Sequence, residues 1–204
     1  MSRHPDTFPD VDLEAAGIVL TPDDQPEFLG GGFNSSAWRA GNQVLKITSH
    51  GSDQSDALKL LEAMKREHGT VEPYIGDYMA DTAYALVNER SSGTSHVLVV
   101  QPFIEGSSLR EFFSRPDANV DPFVTFLEKS MAAYKGTRLM PDISCIEKGF
   151  WPLWDSNTII RPGDDEPVLV DTTAGKTQRS RTLGPAWNRF IYSGALLAHK
   201  WLEG

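Results

Sequence analysis

Residues 154–173, WDSNTIIRPGDDEPVLVDTT, constrain the fold more than any other stretch of the chain. Pro162-Gly163-Asp164-Asp165 presets a turn, because proline fixes one backbone dihedral and glycine accepts conformations closed to other residues. The flanks, 157–160 and 167–170, are short, apolar and β-branched. Together they predict an antiparallel β-hairpin with its two turn acids in solvent. Asn157 begins the first strand and Asp171 follows the second, so the hairpin makes them neighbours at one mouth. An amide oxygen and a carboxylate are the kind of ligands that a hard, octahedral cation such as Mg²⁺ takes. Asn and Asp also cap their own turns, and the hairpin alone does not choose between the two uses.

The stretch 28–47 has a second, independent pattern. Gly30-Gly31-Gly32 precedes an alternating segment, 37–40. Gly41-Asn42 then reads as a tight turn, and 44–47 as a returning strand. A glycine run of this kind predicts a loop whose N–H groups can approach phosphates unobstructed. Lys46 is the single cation in an apolar strand, and using its ammonium there calls for an anionic partner.

Helical spacing of Ala57, Leu58, Leu61 and Met64 predicts a helix over 55–74. Glu62 and Glu67 on that helix are candidate partners for Lys46, Glu67 being favoured because it lies nearer the helix end. Residues 84–87 and 97–100 read as further strands, the second running into an extended connector at Gln101. Ser108 with Glu111 three residues later forms a capping-box signature. Residues 121–136 predict a long amphipathic helix, and 185–201 an apolar closing one. Residues 1–26, punctuated by prolines, read as loosely ordered, with 11–20 as one amphipathic piece that packs on the body.

Composition narrows the class. The chain has 204 residues, the length of one domain or two small lobes, with 40% hydrophobic and 23% charged residues. No apolar run reaches the roughly 20 residues that span a bilayer, so no membrane partner is expected. The single cysteine excludes an intramolecular disulfide and a thiolate metal cluster, and a cytoplasmic location is the expectation. A net charge of −9 argues against general nucleic-acid affinity, although Lys176, Arg179 and Arg181 form a local basic patch.

The order of these elements resembles the protein-kinase-like fold, in particular its bacterial small-molecule branch, similar to aminoglycoside phosphotransferases, and its atypical kinases. The resemblance covers roughly residues 28–173. It implies an α+β, two-lobed architecture: a loosely ordered segment over 1–26, an N-lobe with an antiparallel sheet and one helix over 27–103, and a reduced helical C-lobe over 104–204. It also implies ATP and Mg²⁺ as cofactors and an unknown hydroxyl-bearing acceptor as partner. By the resemblance, Gly30, Gly31, Gly32 and Ser35 would cover the phosphates, and Lys46 would hold them and pair with Glu67. Gln101 would join the nucleotide-binding residues, and Asn157 and Asp171 would hold Mg²⁺.

The chain departs from the family at the catalytic loop. There is no H-R-D triplet, and Pro152 stands where the catalytic Asp is expected. Asp142 is the first candidate for the base and Asp155 the second. D-F-G is replaced by Asp171-Thr172-Thr173, and only a short segment follows. These departures keep two alternatives open: a pseudokinase-like nucleotide-binding module without turnover, and an enzyme transferring AMP.

Overall fold

The structure, a computed structural model, describes residues 7–21, 23–31, 35–48, 51–139 and 157–170. Among the described residues the fold is α+β, and the chain divides into two units. The first takes residues up to Lys65 together with Asp81–Phe103. The second takes Arg66–Ala80 and the chain from Ile104 onward.

The first unit is built on a five-stranded sheet of order β1-β2-β3-β5-β4. Its strands are β1 (Glu27–Gly31), β2 (Ser35–Ala40), β3 (Gln43–Thr48), β4 (Ala83–Asn88) and β5 (Ser95–Pro102). Every pairing in it is antiparallel. Gly41 takes φ 59° and lets a two-residue turn close Ala40 onto Gln43, the tight turn expected from Gly-Asn.

Alternation sorts the strand residues onto two faces. One face carries Leu45, Ile47, Val87 and Leu98, packed with Val11 and Leu13 from the N-terminal segment. Trp38 is buried at 2% exposure, with Phe8 and Phe28 edge-on to its ring at 5.5 and 4.9 Å. Val97 and Val99 lie on the opposite face with Leu61 and Met64 of helix α1 (Gln54–Ile75).

Two sequence expectations change here. Gly30 and Gly31 do not form a loop ahead of the first strand. They are the end of β1, paired with Ala37 and Ser36, and a bulge at Leu29 shifts the register between Phe28 and Gly30. Glycine has low strand propensity, but a neighbouring strand that offers its hydrogen bonds overrides that preference. The segment 7–21 is also not loose. Asp12 N donates to Asn88 O (2.9 Å), Arg90 N donates to Asp10 O (2.8 Å), and Val11 bridges Glu89.

The second unit has its own core. Val71 and Ile75 from the end of α1 pack with Leu109 and Phe112 of α2 (Leu109–Phe113), Phe123, Phe126 and Leu127 of α3 (Asp121–Thr137), and Ile160 and Leu169. The last two belong to the expected hairpin, β7 (Thr158–Ile160) and β8 (Pro167–Leu169), which joins β6 (Ser107–Ser108) in a three-stranded antiparallel sheet. Helix α2 starts with the full capping box. Ser108 Oγ accepts from Glu111 N, and Glu111 Oε2 accepts from Ser108 N (2.8 Å).

One of the two turn acids is a third correction, since Asp164 is exposed as expected and Asp165 is not. Asp165 is 8% exposed and bound to Arg115, while Asp164 and Glu166 are both paired with Arg161. The partner of Asp165 lies 50 residues away in the chain, beyond the reach of local turn chemistry. The expected closing helix (185–201), the basic patch and the segment holding Asp142 and Asp155 lie outside the described residues.

Candidate functional site

In the first unit, sheet register places the sequence candidates. Gly30 pairs with Ala37, Ala37 with Lys46, Lys46 with Val99, and Val99 with Tyr84. These five residues form one row across all five strands. Directly opposed residues share a face, so Lys46 is on the face that Leu61 and Met64 of α1 cover. Lys46 is half-buried there.

The two positions between Lys46 and the sheet edge are the smallest available, Ala37 and Gly30. A Cβ added at Gly30 would meet no heavy atom within 4 Å among the described residues. Space alone does not require glycine here; the backbone favours it, since Gly30 takes φ 159° just after the bulge. The result is a shallow shelf about two strand spacings wide, roughly 10 Å, beside a lysine. A lysine of this kind can also lay its stem along apolar surface with its head in water.

The neighbouring row on the same face is Glu27, Arg39, Val44 and Gln101. Arg39 stacks 3.9 Å from the centre of the Phe103 ring and donates Nε–H to Gly41 O at 3.1 Å. Gln101 is 3% exposed and donates Nε2–H to Thr82 Oγ1 at 2.9 Å, so its side chain ties the start of the connector to the entry of β4. Ser35 opens β2 opposite Thr48.

In the second unit, Glu67 falls between Met64 and Val71 on the inward stripe of α1, spaced three and four residues from them, and is half-buried. Glu62 is exposed. Asn157 sits just ahead of β7 and holds the mouth of the hairpin, its carbonyl accepting from Val170 N at 2.8 Å. Its Nδ2 is buried, and it has no hydrogen-bond partner among the described residues. Turning the amide by half a revolution puts Oδ1 in the same place. The position thus offers either a donor to an anionic oxygen or an oxygen to a cation.

An orphaned amide next to the residue preceding Asp171 fits the oxygen-ligand set expected for Mg²⁺. Among the described residues, no group of three or more His, Cys, Asp or Glu is placed to hold a metal. Gly32, Asp142, Asp155 and Asp171 lie outside the described residues.

Sequence reasoning missed Arg115 and Asn119 as anchors of the hairpin turn. The one local signal was an Asp following Pro-Gly-Asp, a position at which Asp165 adopts φ 54°.

The class defined by these features is an α+β protein with an antiparallel sheet presenting a half-buried lysine beside a glycine edge. Compared with known proteins, the chain matches no family model and no curated protein at a significant level. No helix among the described residues is long and apolar enough to cross a membrane.

Proposed function

We propose that the chain is an ATP- and Mg²⁺-dependent phosphotransferase on a two-lobed, protein-kinase-like fold, moving the γ-phosphoryl group to the hydroxyl of a small molecule. The observation that carries this reading is the row Gly30–Ala37–Lys46, a lysine on a helix-covered sheet face beside the two smallest side chains of the row. Phosphates need a fixed cation with little side-chain bulk beside it, and Lys46 next to Ala37 and Gly30 is consistent with that need. The buried Asn157 Nδ2, without a partner among the described residues, supports it as a ligand position.

In this reading Lys46 holds the α- and β-phosphates, and the backbone of 30–35 covers them. Asn157 and Asp171 hold Mg²⁺, which when bound neutralises charge on the β- and γ-phosphates. Asp142, or Asp155 in its place, accepts the acceptor's hydroxyl proton as its oxygen bonds to the γ-phosphorus. The bond to the β-phosphate oxygen breaks, and ADP leaves.

The test is thermal stability with ATP, in Mg²⁺ and in EDTA, for the wild type, Lys46→Ala and Asp171→Ala. ATP at a hundred times its Kd stabilises by about 2.7 kcal/mol, or several degrees in Tm for a chain of this size. The expected result is a shift that is much larger with Mg²⁺. Lys46→Ala should weaken it throughout, and Asp171→Ala should remove the metal-dependent part. A metal-independent shift that is the same in all three proteins would refute the reading. Mass analysis of products from ATP and candidate acceptors then separates the chemistries: an added phosphoryl group supports a kinase, an added AMP the transferase alternative, and binding without product a regulatory module.

A further inference from the structure

Asp165 is the most constrained residue of the β7–β8 turn. It takes φ 54°, in the left-handed region, and is 8% exposed. Its carboxylate receives three donors: Arg115 Nη1 to Oδ1 at 3.0 Å, Arg115 Nη2 to Oδ2 at 3.1 Å, and Asn119 N to Oδ2 at 2.9 Å. A two-pronged guanidinium–carboxylate pair fixes orientation as well as distance. Arg115 is itself steadied, by Asp117 at Nε (3.4 Å) and by the Phe112 ring at 5.7 Å.

The hairpin is short: beyond the burial of Ile160 and Leu169, β8 is tied to its surroundings by Ala80 N–H donating to Leu169 O at 3.0 Å. Its strands pair over only three positions, Thr158↔Leu169, Ile159↔Val168 and Ile160↔Pro167, and Pro167 has no N–H to give. Strand β6 adds only two pairs. Short hairpins are marginal alone, and a slip of one residue would turn every side chain to the other face. The far end of the same hairpin carries Asn157, locked to Val170 by one backbone bond of 2.8 Å.

We propose that Arg115 and Asp165 are positioning residues that lock the register of the β7–β8 hairpin to the segment joining α2 and α3, and so fix where Asn157 presents its amide. The use made of Asn157 rests on the phosphotransferase reading; the lock itself does not.

Asp165→Asn is the discriminating variant. Asparagine tolerates the left-handed conformation and keeps one oxygen for Asn119 N–H, but it loses the charge and one prong. Hydrogen exchange is read on the full chain at Val170 N and Arg161 N, whose bonds to Asn157 O and Glu166 O close the two ends of the hairpin. In Asp165→Asn these amides should exchange at least about tenfold faster, while α3 amides stay within about twofold. Arg115→Lys, which keeps charge but not the fork, should fall between; it also decides the question should Asp165→Asn fail to fold. Unchanged hairpin exchange, or an equal rise in α3, overturns the lock.

The Mg²⁺-dependent part of the ATP shift should also fall in Asp165→Asn. Selective hairpin exchange with that part intact would overturn the link to Asn157. A wild type without any ATP shift would remove the phosphotransferase reading, and exchange would still decide the lock.

Discussion

Replacing Gly106 by alanine should loosen the second unit by a computable contact. Gly106 is the residue before β6, and it does not take a positive φ, so the backbone itself accepts alanine. The obstacle is space. The new Cβ would lie 2.3 Å from Ile160 O, 2.5 Å from Ile159 Cγ2 and 3.0 Å from Ile160 C. The isoleucine methyl can rotate away, but Ile160 O is backbone of β7, held by pairing to both β6 and β8. Relief therefore requires strands to part by up to about 1 Å, an overpacking cost of about 1–3 kcal/mol. Loss of unfolded-chain entropy offsets about 0.4–1 kcal/mol of this, leaving a net destabilisation of roughly 1–2 kcal/mol. Urea unfolding followed by circular dichroism should give a lower midpoint at unchanged slope, with Tm falling about 2–4 °C per kcal/mol. A variant as stable as the wild type would refute the packing of Gly106 on Ile160.

Other glycines and caps carry predictions of different sign. Gly69 lies within α1 with nothing within 4 Å of an added Cβ, so Gly69→Ala should stabilise by about 0.5–1 kcal/mol in the same unfolding assay. Ser108→Ala removes the acceptor for Glu111 N and should cost about 1 kcal/mol. The same box predicts a pH dependence. Donation by the Ser108 backbone N–H, then by its hydroxyl, holds the Glu111 carboxyl below its ordinary value of 4.5. A lowered folded pKa means that the unfolded state binds the proton more tightly. The stabilisation is thus complete above the ordinary value and is lost as pH falls through the folded one. In Glu111→Gln, that part of the acid-side loss of stability should disappear.

The periodic elements were legible in the sequence because their signals are local. The turn at Gly41, the inward stripe of α1, the Ser108–Glu111 box, α3 and the hairpin over 158–169 all follow from residues within a few positions of one another. Strand β1 was not legible, because a run of three glycines signals a loop, whereas Gly30 and Gly31 pair with Ala37 and Ser36. Asp165 read as a solvated turn acid because its partner is 50 residues distant. In the candidate site, the placing of Lys46 in an apolar strand was readable. Its row with Gly30 was not, because that row depends on the bulge at Leu29. That Asn157 Nδ2 is buried without a partner among the described residues is a property of packing, which no spacing rule reports.

The strand order also dictates how this sheet is assembled as the chain is made. Strands β1, β2 and β3 form a local meander, and β4 and β5 a local hairpin, but β3 meets β5 across the length of α1. Val97 N and Thr48 Oγ1, bonded at 3.1 Å across this seam, are 49 residues apart in the chain. At about 5–20 residues per second of synthesis, β3 waits roughly 3–10 s with an unpaired edge and two large apolar residues, Leu45 and Ile47. An open, apolar strand edge invites pairing with other nascent chains, and a charged side chain in its middle opposes that. Lys46 lies within that strand, so its charge opposes such pairing until the seam closes.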